Sequence, residues 1–303
     1  QEWIEARTQE LLPVKYYHVV FTLPHELNSL VMGNRRVLYK LLFDASAQTL
    51  LGFAKDKKYL AAQPGIISVL HTWGQQLSFH PHIHCIVSGG GITDEHCWKD
   101  ASKTIYRFLF PVKALSIVYR AKFLQRLQLL ISKGEVKPAD GTDTYQLIKL
   151  LYSKDWVVYA KAPFAGPQAI IEYLGRYTHK VAISNHRITG IDHQNKTVSF
   201  TYKDYADNGK QKQMTLDAGE FIRRFEQHIL PERFTKIRSY GYLSNRKRHQ
   251  CINAILKTMK LPQHRGLVKI PLEIRMKEMY GIAMLECPCC KKATLQLLAV
   301  YVP

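Results

Sequence analysis

Residues 69–91 read VLHTWGQQLSFHPHIHCIVSGGG, and the fold turns on how this stretch pairs with itself. Ile66–Trp73 is an apolar run that follows a turn signal at Pro64-Gly65 and stops at Gly74. His80–Ser88 is a second such run, closed by Gly89-Gly90-Gly91. Two runs of this kind around a short polar stretch predict an antiparallel hairpin, its loop near residues 75–79. Successive side chains along a strand point to opposite faces. His82 and His84 therefore share one face, with Ile83 turned into a core behind them. Two neighbouring imidazoles can chelate one divalent metal, suiting Zn, Mn, Ni or Co well and Mg less well. A hairpin centred near Gln76–Leu77 sets His71 opposite His82, which makes His71 the favoured third ligand. Gln75, Gln76 and His80 are its rivals, and packing beside Trp73 is the plainer role for His71.

Outward from the hairpin, Tyr16–Leu23 (YYHVVFTL) predicts a strand ended by Pro24. Residues 26–50 predict a helix, with Leu27, Leu30 and Val31, then Val37, Leu38, Leu41 and Leu42 at helical spacing. Residues 112–133 predict another helix, and Trp156–Ala160 a short strand. Gly166-Pro167 opens a further helix, PQAIIEYLGRYTHK, with Pro in its first turn. Val181–Ser184 and the alternating ITGIDHQNKTVSFTYKDY predict more strands, with a turn near His193–Lys196. Residues 217–229 return to helix, and after Pro231 the chain reads as basic and helical. Cys85, Cys97 and Trp98 read as core or loop residues.

The helix opened by Pro167 carries Tyr173 and Tyr177, four residues apart and so on one face. Such a pair ordinarily covers the edge of a core. Here Arg176, His179 and Lys180 surround it. A tyrosine can act as a covalent nucleophile, but at an ordinary pKa near 10 only about one in a thousand is ionised at neutral pH. A cation such as Lys180 favours the phenolate, and a metal polarising a phosphate makes a weak nucleophile sufficient.

The chain has 303 residues with 43 Lys+Arg against 24 Asp+Glu, a net charge of +19. That balance favours a polyanionic partner. Residues 231–280 hold 12 Lys+Arg and 3 Asp+Glu, so they supply +9 of it. Within them Arg233, Lys236, Arg238, Tyr240, Tyr242, Arg246, Lys247 and Arg248 interleave cations with aromatic rings, a composition suited to single-stranded DNA. With 46% apolar residues a disordered chain is excluded, and no apolar run approaches the roughly 18–20 residues that span a bilayer. No membrane association and a cytoplasmic, nucleoid-associated location are expected. Three of the six cysteines crowd into Cys287, Cys289 and Cys290. Cys287 and Cys290 form a CxxC, half of a zinc ribbon, with no second pair to complete it. A reducing compartment follows from this usage.

The motifs VVFTLPHELN, VLHTWGQQLSFHPHIHCIVSGGG and YLGRYTHKVAISNHRI closely resemble those of the two-tyrosine transposases of the bacterial IS ninety-one family, within the HUH endonuclease superfamily. The resemblance runs from about residue 10 to 290, and Tyr177-Thr-His-Lys180 fits the YxxK pattern of rolling-circle initiators. It implies an α/β (α+β) palm with a central antiparallel sheet flanked by helices, spanning residues 1–230. A basic helical DNA-binding extension with the partial zinc-ribbon-like CxxC would follow in 231–303. It implies Mg²⁺ or Mn²⁺ held by His82, His84 and a third ligand; Zn²⁺ at Cys287 and Cys290 is an expectation from the CxxC alone. It further implies that Tyr173 and Tyr177, with Lys180, nick single-stranded transposon ends and target and rejoin them through a 5′-phosphotyrosine. Relatives carry a cysteine-rich zinc module before this domain, and the present sequence starts after the place where such a module ends. A plasmid replication initiator or relaxase shares the same chemistry. A non-catalytic metal-containing DNA-binding protein and a hydrolytic metallonuclease are the other readings to be separated.

Overall fold

A computed structural model describes residues 9–101, 109–161, 164, 169–170, 175, 182–263, 271–287 and 289–292. Among these residues the centre is a five-stranded antiparallel sheet. Its strands are β1 (Tyr16–Thr22), β2 (Gly65–Trp73), β3 (Phe79–Ser88), β6 (Val158–Lys161) and β10 (Ile237–Gly241), in the spatial order β10-β2-β3-β1-β6. The expected hairpin is present, and its register pairs His71 with His82 and Val69 with His84. β1 lies against the other side of β3, pairing Thr22 with His82 and Val20 with His84.

The period-2 alternation separates the two faces of the sheet. Tyr17, Val19 and Phe21 of β1, Ile66 and Leu70 of β2, and Ile83, Cys85 and Val87 of β3 all enter one large apolar cluster. The helices α2 (Arg35–Lys55) and α3 (Val112–Ser132) cover that face with Leu38, Leu42, Leu115, Tyr119 and Phe123. On the opposite face Tyr16, Ile67, Val69 and Ile86 pack in a second cluster with Ile170, Tyr242, Leu243 and Ile255. The histidines occupy the other end of this second face.

The helix expected over 26–50 is interrupted. A 3-10 turn (His25–Leu27) and α1 (Asn28–Gly33) precede α2, and Asn34 (φ −134°) stands between them. The Asn34 amide donates to the carbonyls of Leu30 and Lys137 and accepts from the Lys137 N–H. This three-way cap terminates one helix and ties the corner to the chain beyond α3.

The expected helix at 112–133 is α3, and α4 (Thr144–Ser153) follows it. Beyond β6 the chain builds a second, three-stranded sheet from β7 (Ile188–Asp192), β8 (Thr197–Asp204) and β9 (Lys210–Asp217). The helix α5 (Ala218–Glu226) is capped by the Asp217 side chain, which accepts from Gly219 N–H. Val181 lies outside the described residues. Ala182 to Ser184, expected as strand, instead turn: Ala182 has φ 27° and buries its methyl against Leu77 and Phe200.

A larger departure concerns residues 237–241, expected within a helical extension. They form β10, whose backbone pairs with the edge of β2 that would otherwise be open. The expected division at residue 230 falls between α5 and β10, so the central sheet draws strands from both sides of it. The helices α6 (Arg248–Thr258) and α7 (Leu272–Tyr280) follow. No helix among the described residues is long and apolar enough to cross a membrane. A short pair, β4 (Gly90–Ile92) with β5 (Trp98–Asp100), extends from the glycine run after β3.

Candidate metal centre

Strand alternation and hairpin register bring His71, His82 and His84 onto one patch of the sheet. One ring nitrogen from each lies within 4.8 Å of the others. Ring centroids are 4.2 Å apart for His71–His84 and 4.8 Å for His82–His84. His71 is buried beneath the indole of Trp73, with the rings stacked at 5.0 Å. His71 thus packs beside Trp73 and at the same time lies with His82 and His84, where a third ligand would have to be.

Each imidazole has an orienting contact. Nδ1–H of His82 donates to the carbonyl of His80 at 2.6 Å, which leaves Nε2 of His82 with a lone pair. Nδ1 of His84 lies 2.7 Å from Nε2 of His18. In the tautomer that frees Nε2 of His84 for a metal, His84 donates and His18 accepts, the usual arrangement behind a metal-bound histidine. Sequence reading passed over His18. A single histidine in the apolar run YYHVVFTL resembles a core residue. Its one signal is parity: it shares a face with Val20 and Thr22, the residues that flank His84 and His82.

Burial sets the electrostatics. It lowers the pKa of His18 and of His82 to about 4, with Lys161 adding to the effect at His18. Burial also pulls His71 and His84 well below the ordinary histidine range, each reinforced by its neighbouring histidines. All four rings are neutral at pH 7, the state in which imidazole coordinates a metal. Three neutral imidazole nitrogens, that of His71 buried and those of His82 and His84 on half-buried side chains, fit a divalent transition metal such as Mn or Zn better than Mg. The triad can therefore hold a metal, with no carboxylate in the donor set. Lys236 adds positive charge beside it: its ammonium lies 5.1 Å over the Trp73 ring, and burial lowers its pKa. Of the rival ligands, His80 sits with its ring 5.2 Å from that of His82, outside the triad. Gln75 and Gln76 offer their backbone carbonyls to Arg187 and Arg224.

Tyr173, Arg176, Tyr177, His179 and Lys180 lie outside the described residues. Ile170, on the same stretch, is buried with Ile67, Val69 and Ile86, on the sheet face that carries the histidines.

The basic and aromatic residues of 233–248 do not form one surface. Arg233, Arg246 and Lys247 are exposed. Lys236 lies beside the histidine triad, its charge acting on His71. Arg238 is held by the sheet, its guanidinium 4.4 Å above the Phe43 ring and 5.3 Å from that of Phe234. Arg248 pairs with the buried Glu10 at 3.0 Å. Tyr240 packs on the main core, and burial raises its pKa. Tyr242 is wholly buried beneath Trp98, its pKa pushed up to about 12 by burial. The expectation that Tyr240 and Tyr242 stack bases is therefore corrected: β10 and the turn after it aim both rings into the protein. Cys287 and Cys290 flank a tight turn in which Lys291 N–H donates to the Cys287 carbonyl and Cys287 N–H to that of Lys292. Neighbouring backbone N–H groups lower the Cys287 pKa. Among the described residues the cysteines belong to no group of three metal ligands.

Comparison with known proteins gives the biological setting. A family model described as "Putative transposase" (Y2_Tnp) matches residues 65–250. A relative from Sinorhizobium fredii, named "Putative transposase y4qJ", is 38% identical over 313 residues, covering 99% of this chain and 77% of its own. The transposase for insertion sequence element IS801 of Pseudomonas savastanoi pv. phaseolicola is 29% identical over 297 residues, covering 95% of this chain and 69% of its own. Among solved structures, the conjugative relaxase TrwC in complex with oriT DNA aligns at 14% identity, covering 55% of this chain and 73% of that one. Its TM-score of 0.28 is too low to argue from. On the family match and the extent of these relatives, the chain belongs to the Y2_Tnp family of transposases.

Proposed function

We propose that this transposase nicks and rejoins single-stranded DNA through a 5′-phosphotyrosine, in the manner of two-tyrosine HUH enzymes of the IS ninety-one family. The observation that carries the reading is the triad of neutral histidines on one end of an antiparallel sheet face. Ile170, three residues before Tyr173, packs on that same face and supports it.

His71, His82 and His84 would hold Mn²⁺ or Mg²⁺, which when bound polarises a non-bridging oxygen of the scissile phosphodiester. The side chains do the rest. The phenol oxygen of Tyr177 or Tyr173 forms a new bond to phosphorus, and the bond from phosphorus to the 3′ oxygen breaks. The proton lost by the phenol balances the one gained by the 3′-hydroxyl. Lys180, by its charge, favours the phenolate. Rejoining reverses these steps with another 3′-hydroxyl, so no nucleotide cofactor is consumed. The second tyrosine permits a second cleavage while the first is still loaded, as one-ended, rolling-circle-like transposition requires. Lys236 and the exposed Arg233, Arg246 and Lys247 would neutralise phosphates of the bound strand.

The test is covalent trapping on a denaturing gel, with labelled single-stranded oligonucleotides carrying element ends, in Mn²⁺. A protein–DNA adduct that needs His82 and His84, and that disappears when both Tyr173 and Tyr177 become Phe, is expected. Cleavage with a free 5′-phosphate and no adduct would replace this reading with a hydrolytic nuclease. DNA binding unaffected by the double Tyr→Phe change, with neither cleavage nor adduct, would leave a non-catalytic binder.

A further inference from the structure

A cavity of about 470 Å³ lies between the β2–β3 turn and the three-stranded sheet, outside the histidine triad. Its walls include Trp73 and Gln75 on the hairpin side and Arg187, Tyr202, Lys203 and Tyr205 on the small-sheet side. The size lies within the roughly 300–1,000 Å³ of small-ligand sites.

The two sides are fastened together. Arg187 donates to the carbonyls of Thr201 and Gln75, at 2.8 and 2.6 Å. Arg224 donates to Gln76, and His228 to Leu77, on the hairpin turn. Leu77 itself is buried against Ala182 and Phe200 of the small unit. The cavity is therefore a fixed feature of the hairpin that carries the metal ligands. Trp73 is common to both places: it lines the cavity and stacks on His71.

The lining has a definite chemistry. Among the described residues that line it, none is a carboxylate. Asp204, next in sequence to Lys203, is engaged by Lys212 at 2.8 Å. Arg187 is partly buried with carbonyls for partners, and desolvation lowers its pKa. A guanidinium in that setting gains from an anion that can take its remaining donors. Tyr205 is 73% exposed, a large apolar ring standing in solvent at the rim. Cations beside aromatic faces are what an unpaired nucleotide uses, the phosphate meeting the charge and the base meeting the ring. Duplex DNA cannot present a base in this way.

We propose that this cavity is a subsite for one unpaired nucleotide of single-stranded DNA. Its base stacks on the Tyr202–Tyr205 side and its phosphate faces Arg187 and Lys203. The strand then passes Trp73 to reach the histidine triad. The inference rests on the reading of the triad as the place of chemistry on single-stranded DNA, and it gives the preference for an unpaired strand a definite place in the fold, outside the triad.

The test measures binding of a 5′-fluorescein thymidine oligonucleotide of about 12 nucleotides to the full chain, in EDTA, by fluorescence anisotropy. Tyr205 and Lys203 are exposed, so changing them leaves the packing intact. Tyr205→Ala is expected to raise Kd at least about fivefold, and Lys203→Ala to weaken binding and flatten its salt dependence. Tyr205→Phe, which keeps the ring, restores binding. Affinity for a duplex of equal length stays unchanged in all three. Unchanged thymidine-oligonucleotide binding by the Tyr205→Ala/Lys203→Ala double variant overturns the proposal, as does a parent chain that does not bind the oligonucleotide. Covalent trapping separates this from the nicking reading. An adduct in the parent together with indifferent Tyr205 and Lys203 variants sinks the subsite alone. Tyr205-dependent binding with no adduct sinks the tyrosine chemistry alone.

Discussion

His18 and His84 meet at 2.7 Å, Nε2 to Nδ1, with their rings stacked at 5.0 Å. They lie 66 residues apart along the chain and touch because β1 pairs with β3. His18 so takes the place that a carboxylate or backbone carbonyl usually has behind a metal-bound histidine.

Removing that acceptor should loosen the metal site without removing a ligand. His18→Leu is expected to weaken Mn²⁺ binding by about 10- to 100-fold. His18→Gln keeps an acceptor oxygen and should recover most of the loss. Isothermal titration with Mn²⁺ checks both, and equal affinities in the His18→Leu variant and the parent chain would deny His18 any orienting role.

Acid should destabilise the metal-free fold through the same histidines. An unfolded histidine titrates near 6.5, whereas His18 and His82 are lowered to about 4, and His71 and His84 are lowered too. Between those values the unfolded chain binds more protons than the folded one, so stability rises with pH. It is complete above about pH 6.5 and is lost as pH falls toward 4. Thermal unfolding in EDTA should show a falling Tm from pH 7 to 5, with a shallower slope for His82→Gln/His84→Gln. Parallel slopes in the two proteins would place the acid sensitivity elsewhere.

Ile83 separates His82 from His84 and is fully buried on the opposite face. Ile83→Ala leaves a cavity beneath the centre and should cost about 2–5 kcal/mol. Urea unfolding reads this as a lower midpoint at unchanged m-value. A loss below about 1 kcal/mol would mean that the core relaxes around the gap.

Gly241 ends β10 with φ 66°, and an added Cβ there would lie 1.7 Å from the Pro64 carbonyl oxygen. Gly241→Ala should therefore shift β10 off β2, at about 2 kcal/mol or more. Gly190, with nothing within 4 Å of an added Cβ, is the control and should tolerate Ala far better. Hydrogen exchange at Gly65–Val69 and Ile237–Gly241 reports the pairing, and preserved protection in Gly241→Ala would contradict the argument.

The hairpin and its histidines were legible because they rest on local rules. Period-2 alternation puts His82 and His84 on one side, and a short loop between two strands sets the register that opposes His71 to His82. The helices expected at 112–133 and 217–229 are local in the same way, and they form at 112–132 and 218–226. Tyr240 and Tyr242 show where such reading stops. Their composition suits a DNA surface, yet the pairing of β10 with β2 turns both inward. Arg248 likewise reads as a phosphate contact until Glu10, 238 residues away, is found beside it.

What the amino-acid sequence determined by itself is the pair of histidines on β3, their histidine partner on β2, the basic balance and the tyrosine pair that follows. Each depends on residues close along the chain, or on charge that needs no fold. The tertiary structure alone decided which far-off groups meet them. β1 brings His18 behind His84, the chain entering β10 brings Lys236 over Trp73, and the small sheet closes a cavity against the hairpin turn. These contacts come from strand order and the seating of one unit on another. Both are settled by burial across the whole molecule, and no local pattern of residues encodes them.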